Sequence, residues 1–281
     1  MYLLLIFAAF LYAIQFLFNQ QYQRLHGDGI ESSVTFAMCT SAVSFLLMFV
    51  IGGFTLSITW FSLLMALAYA IVFVSCTYCG LKSFGTANLS VYSIFMMLGG
   101  MLVPFVYGIV FADEPLTAAK IGCIVLIGAA VALSFEKGGS SKKCYYYYLA
   151  IFVLNGLYGV ISKIHQSAEN LAVDSASFMA AAWLMVFIIC VIYRIVKRQG
   201  VPKVTGKECA FMSAYALCNA SAGFFLLIAL ETLPASVQYP IITGGVMVFS
   251  TIISKLRREE VTKKTYIAAG LALISTILIM F

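Results

Sequence analysis

A chain of 281 residues that is 63% hydrophobic and 10% charged, with a mean hydropathy of +1.01, lies outside the composition of a water-soluble domain, in which about 25% of residues are charged. Composition alone selects the membrane class. The net charge of +6 is a topology signal and calls for no nucleic-acid partner.

Charged side chains are absent from nine windows: 1–23, 32–81, 83–112, 121–135, 144–162, 175–193, 209–230, 232–254 and 265–281. A helix rises about 1.5 Å per residue and the hydrocarbon core is about 30 Å thick, so roughly 20 residues span it once. The long window 32–81 therefore holds two spans, folded at the glycines and small polar residues of 52–57. The expected fold is an all-α polytopic membrane protein with ten transmembrane helices, since no window alternates like a barrel strand.

The first span begins an apolar run like a secretory signal, but it lacks a basic leader and its apolar stretch is long. Within it Tyr12, Gln15 and Asn19 fall at i, i+3 and i+7, one helical face. The third span carries Cys76 and Cys79 at C-x-x-C spacing; deep in lipid such residues read as small apolar packers. In the fourth span Asn88 and Tyr92 are i, i+4. The fifth is short unless its helix begins near Thr117 and Lys120 snorkels to the interface. Residues 145–148, four tyrosines, read as an interfacial anchor.

The sixth span repeats the polar face of the first with Asn155, Tyr158 and Ser162, and its end carries Lys163 and His165, which read as a solvated loop pair. The eighth adds Tyr215 and Asn219, i, i+4. In the ninth, Gln238, Tyr239, Pro240 and Thr243 cluster, and Pro240 removes a backbone donor. Polar side chains at membrane depth usually face a bundle interior. The candidate substrate-binding set is Tyr12, Gln15, Asn19, Asn88, Tyr92, Asn155, Tyr158, Asn219, Gln238 and Tyr239. Each pair serves equally well as interhelical hydrogen-bond glue.

An internal repeat organises these elements. A shift of 146 places Tyr2 on Tyr148, Leu11 on Leu157, Tyr12 on Tyr158 and Gln20 on Gln166, and at the far end Glu114 on Glu260. Between them the register drifts by about a residue, with Tyr92 opposite Tyr239. The expected units are 1–140 and 141–281, five spans each. Five is odd, so the second unit enters the membrane from the opposite side and the repeats are inverted. The basic residues agree: 15 of the 17 fall in odd-numbered loops, and only Lys120 and Lys163 fall elsewhere. The positive-inside rule then puts odd loops in the cytoplasm and both termini outside.

Two inverted five-span units, with Asp113-Glu114-Pro115-Leu116-Thr117 before the fifth span and Glu259-Glu260-Val261-Thr262 before the tenth, resemble the drug/metabolite transporter superfamily, specifically its EamA-like ten-span members. The resemblance covers the whole chain. It implies a central cavity lined by the first four helices of each half, with the fifth helices outside as support, and a plasma membrane of the bacterial inner-membrane kind. The multidrug relatives with four spans carry a Glu in their first helix that exchanges protons. Here Tyr12 and Gln15 stand there instead, and all eleven carboxylates lie in loops or at span ends.

No span pairs a nucleophile with a base or gathers metal ligands, so no enzyme activity, cofactor, metal or disulfide is expected. The functional expectation is a transporter, an exporter in direction, for a small polar, zwitterionic or aromatic, amino-acid-like metabolite, working by alternating access as a monomer or homodimer. Protons are the candidate coupling ion. The competing expectation is a flippase or accessory subunit for a lipid-linked substrate, which a lateral opening with basic residues at headgroup depth favours.

Overall fold

The structure is a computed structural model that describes residues 2–84, 89–111, 117–134, 142–168, 170–230, 235–259 and 262–278. Among these residues there are ten helices and no strand: α1 (Tyr2–His26), α2 (Ile30–Ile51), α3 (Trp60–Phe84), α4 (Leu89–Phe111), α5 (Ala118–Ser134), α6 (Lys142–Ser167), α7 (Ser175–Val196), α8 (Gly206–Leu230), α9 (Ala235–Leu256) and α10 (Lys263–Leu278). Each coincides with one charge-poor segment of the sequence. Five of them, α1, α2, α3, α6 and α7, are long and apolar enough to cross a membrane.

The long window between residues 32 and 81 breaks where glycine permits it. Gly53 and Phe54 both adopt positive φ, 67° and 61°, and the Thr55 hydroxyl donates to the Gly52 carbonyl at 2.6 Å. The short fifth helix starts one residue after Thr117, whose carbonyl accepts from the Ile121 N–H at 3.1 Å.

The outer face of the bundle is apolar, and polar side chains are buried beside an apolar core. Large apolar side chains such as Leu3, Phe7, Leu46, Leu64, Ile71, Val125 and Ile192 are exposed, whereas Gln15, Asn19, Gln20, Ser33, Thr40 and Ser41 are buried. Both halves of that pattern are consistent with a lipid exterior, because only polar groups lose by facing hydrocarbon. The buried hydroxyls of α2 are satisfied locally, Thr40 donating to the Phe36 carbonyl at 2.7 Å and Ser33 to the Gly29 carbonyl at 3.0 Å.

The helices pack across the two halves of the chain. α1 lies on α8 and α3 on α6; α4 lies on α6 and α1 on α9; α3 lies on α7 and α2 on α8. Three more contacts join α2 to α7, α4 to α9 and α5 to α10. The α4–α6 seam is tight. A Cβ at Gly99 would land on the backbone carbonyl of Phe152, and one at Gly156 on the Val103 side chain. Small residues let two helices meet where lipid offers no hydrophobic drive for association.

One end of the bundle is tied by ion pairs and hydrogen bonds to carboxylates. Glu259 meets Arg24 at 3.0 Å, Glu208 meets His26 at 2.9 Å, and Asp28 meets Lys82 at 3.3 Å. Glu208 also closes a capping box at the start of α8, accepting the Thr205 N–H at 2.7 Å while its own N–H donates to the Thr205 hydroxyl at 3.4 Å. Arg194, buried at the end of α7, donates to the Gly200 carbonyl at 2.6 Å and to the Thr35 hydroxyl on α2 at 3.2 Å.

The other end is tied by neutral polar groups. Ser57 N–H donates to the Ser177 hydroxyl at 3.1 Å, and the Thr59 hydroxyl to the Leu171 carbonyl at 2.6 Å. Here His165 departs from the expected solvated pair: it is 3% exposed, bonded through Nε2 to the Ser62 hydroxyl at 2.8 Å and stacked on Phe178 at 4.0 Å. Tyr148 departs similarly from the interfacial anchor, since it is buried, stacks on Phe95 and donates to the Ser83 carbonyl at 3.3 Å. In both cases a partner on another helix replaces water.

Asp174 caps α7, accepting the Ser177 N–H at 2.9 Å. Its partial burial alone would raise the carboxyl, but the hydrogen bonds from Ser177 outweigh that and hold it below its ordinary value. A lowered native pKa means stability that is present above the unfolded value and lost as pH falls through the native one. Asp174→Ala is expected to cost about 1 kcal/mol at neutral pH, and the difference from wild type should shrink as pH falls below the ordinary carboxyl range and through the lowered native value. Thermal midpoints measured across pH check both.

Candidate functional site

Seven helices, α1, α3, α4, α6, α7, α8 and α9, surround a cavity of about 310 Å³. This is at the small end of the roughly 300–1,000 Å³ typical of small-molecule sites. The first-span face Tyr12, Gln15 and Asn19 points to it, as do Tyr92 of α4, Asn155 and Tyr158 of α6 and Asn219 of α8. Seven of the ten candidate residues thus share one wall. Asn88 lies outside the described residues, and so do the side chains of Gln238 and Tyr239, although α9 itself passes the cavity and gives Ile242 and Thr243 to its wall. No residue of α5 or α10 lines it among those described.

The wall also contains residues that the polar-face reading passed over: Tyr69, Phe73 and Thr77 on α3, and Trp183 on α7. Tyr69 had a detectable signal, because adding 146 gives Tyr215, the same offset that relates Tyr12 to Tyr158. Four of the five cavity tyrosines are therefore two repeat-related pairs. Trp183 had no such signal: its counterpart at that offset is Ala37.

The rings brace one another. Tyr69 stands 4.9 Å from Tyr158 and edge-on to Trp183 at 6.0 Å, Trp183 is edge-on to Phe73 at 4.8 Å, and Tyr92 is edge-on to Phe16 at 5.1 Å. Aromatic pairs at these distances are attractive, so Tyr69, Tyr158, Phe73 and Trp183 brace one another in one cluster and Tyr92 with Phe16 forms a second. The Asn155 amide is spent on the Met96 carbonyl of α4 at 2.6 Å. Asn155 therefore serves as interhelical glue at the edge of the cavity.

Among the described lining residues none is charged and none is histidine. Three polar atoms of the wall have no hydrogen-bonding partner: Gln15 Oε1, Asn19 Oδ1 and Trp183 Nε1. Cys76 lines the cavity, whereas Cys79 is half-buried and does not, so the C-x-x-C pair does not act on it together. The arrangement can hold and orient a small molecule by ring faces and hydrogen bonds. It offers no nucleophile beside a base among the described lining residues.

No family model and no curated protein matches this chain. A solved crystal structure of a protein does, with a TM-score of 0.66 at 14% identity over 98% of this chain and 95% of the other. At that identity the likeness concerns the fold, which the two chains share along nearly their whole length.

Proposed function

We propose that the chain is a ten-span membrane transporter of the EamA-like kind, built of two inverted five-helix repeats, that exports a small polar, zwitterionic or aromatic metabolite of amino-acid-like size by alternating access. The observation that carries this reading is the uncharged cavity framed by Tyr12 with Tyr158 and Tyr69 with Tyr215. A site built from equivalent positions of both halves is the expectation for repeat-based transporters. The helix contacts support the repeat: exchanging α1–α5 for α6–α10 turns α1–α8 into α6–α3, α4–α6 into α9–α1 and α3–α7 into α8–α2, each an observed contact, while α2–α7, α4–α9 and α5–α10 map onto themselves.

The Arg24–Glu259 and Lys82–Asp28 ion pairs and the His26–Glu208 hydrogen bond gather residues flanking α1, α3, α8 and α9 at one end, which supports a common cytoplasmic side for the odd loops. A wall without basic residues among those described favours a solute over an anionic lipid headgroup. Tyr12→Ala is expected to reduce flux in proteoliposomes at least tenfold with folded protein retained; unchanged flux sinks the assignment of the cavity. Labelling of a cysteine at Lys203 from outside the cell would overturn the orientation.

A further inference from the structure

Two pairs of helices end in a left-handed residue, but with different side chains. After α1 and α2 the residue is a glycine, Gly27 at φ 84° and Gly53 at φ 67°. After α7 and α9 it is an arginine, Arg198 at φ 53° and Arg258 at φ 56°. The same two hydrogen bonds close both arginine turns. Arg198 N–H donates to the Ile195 carbonyl at 3.0 Å and Gln199 N–H to that of Arg194 at 2.9 Å; Arg258 N–H donates to the Lys255 carbonyl and Glu259 N–H to that of Ser254, each at 3.0 Å. This Schellman geometry favours glycine, because a Cβ is crowded at positive φ. Glycine at 198 and 258 would therefore suit the fold better. Membrane insertion needs a basic residue only somewhere in these loops, and the loops hold several others. Neither requirement accounts for an arginine at the strained position.

Both arginines are exposed, and both lie at the end of the bundle where α1 finishes. Arg258 precedes Glu259, which meets Arg24 of α1, and Arg198 lies in the turn before α8, whose Glu208 meets His26 of α1. Lys197, Lys203 and Lys207 are exposed in the same turn as Arg198 and at the start of α8. Lys255, Lys263 and Lys264 are exposed on the helix ends that flank Arg258. None of these basic side chains forms an ion pair among the described residues, whereas Asp28, Glu31, Glu208 and Glu259 each face a basic or histidine partner. Apolar side chains stand exposed close by in sequence, Ile195, Val196 and Val201 around Arg198 and Leu256 before Arg258. Cations set directly against aliphatic groups match the boundary between lipid headgroups and acyl chains.

We propose that this rim seats anionic phospholipids, with one headgroup phosphate at Arg198 and another at Arg258. A guanidinium holds a phosphate through two parallel hydrogen bonds, whereas an ammonium acts as a point charge. The arginines therefore form the seats and the lysines add diffuse attraction. The inference requires the chain to lie in a bilayer and does not depend on transport.

Native mass spectrometry and thermal midpoints of the full chain in detergent, with phosphatidylglycerol or phosphatidylcholine added, test it. Phosphatidylglycerol is expected to bind at least roughly tenfold tighter and to raise the midpoint more. Arg198→Gly and Arg258→Gly should each weaken phosphatidylglycerol roughly fivefold, and the double variant about 25-fold. With phosphatidylcholine the same variants should keep or raise the wild-type midpoint, since glycine relieves the left-handed turn. Lys203→Ser combined with Lys264→Ser removes as much charge as the double arginine variant and should weaken phosphatidylglycerol less than about fivefold. Equal affinity for the two lipids, unchanged phosphatidylglycerol binding in the glycine variants, or an equal loss in the lysine variant overturns the proposal. A midpoint lowered by glycine in phosphatidylcholine gives the arginines a structural role and overturns it too. Displacement of the lipid by free glycerol phosphate would mark a site for a soluble phosphate and has the same consequence.

Discussion

Gly99→Leu is expected to abolish folded protein, and even Gly99→Ala to cost more than about 4 kcal/mol, the range reserved for steric or buried-network failures. The reason is backbone geometry. The Cβ that any other residue adds at position 99 coincides with the Phe152 carbonyl of α6, and a backbone atom cannot rotate away as a side chain does. Gly156 faces the same seam, meeting Val103 and the Gly99 carbonyl, so neither helix can yield without separating from the other. Separation would also break the Asn155 to Met96 hydrogen bond and open one side of the cavity. Gly128 is the control. Nothing lies within 4 Å of a Cβ there, and alanine in place of glycine inside a helix gains up to about 1 kcal/mol. Thermal midpoints and size-exclusion profiles in detergent should show Gly99→Ala destabilised and Gly128→Ala unchanged or raised. Equal midpoints for the two would show that the seam is looser than described.

That seam marks the limit of what a linear reading can reach. The spacing of charges located the helical segments, because excluding charge from lipid acts residue by residue along the chain; the break near Gly53, inside a charge-free window, was legible only from window length and turn residues. One-dimensional periodicity likewise grouped Tyr12, Gln15 and Asn19. What it missed depends on which helices become neighbours. Gly99 and Gly156 look like any other membrane glycines until α4 meets α6. Trp183 sits in an apolar run with nothing polar near it in sequence, and only the approach of α3 makes it a wall of the cavity. His165, beside Lys163 at a helix end, has the local sequence of a solvated pair; its burial comes from Ser62 and Phe178, which lie on α3 and α7.

Glu259→Gln is expected to loosen the charged end of the bundle and raise access to the cavity from that side. Glu259 Oε1 holds Arg24 of α1 at 3.0 Å and lies 3.8 Å from Arg257, while Oε2 accepts the Leu89 N–H at the start of α4 at 3.2 Å. Arg257 in turn donates to Gln20 of α1 at 2.7 Å. One carboxylate therefore joins α1, α4 and the turn after α9, and it sits where a helix N-terminus favours negative charge. Glutamine keeps an acceptor but leaves the two guanidinium groups without a counter-charge. Arg24 is half exposed, so solvent screening holds the loss to about 1 to 2 kcal/mol, a roughly 5- to 30-fold shift in population. Cys76 in the cavity wall reports it once the other cysteines are replaced. Its alkylation by a membrane-impermeant maleimide from the charged side should accelerate by that factor in Glu259→Gln and in Arg24→Gln. The double variant should add little, because both substitutions break the same contact. An unchanged rate would show that this end does not gate the cavity, and a rise that tracks a lowered thermal midpoint would mean unfolding in place of opening.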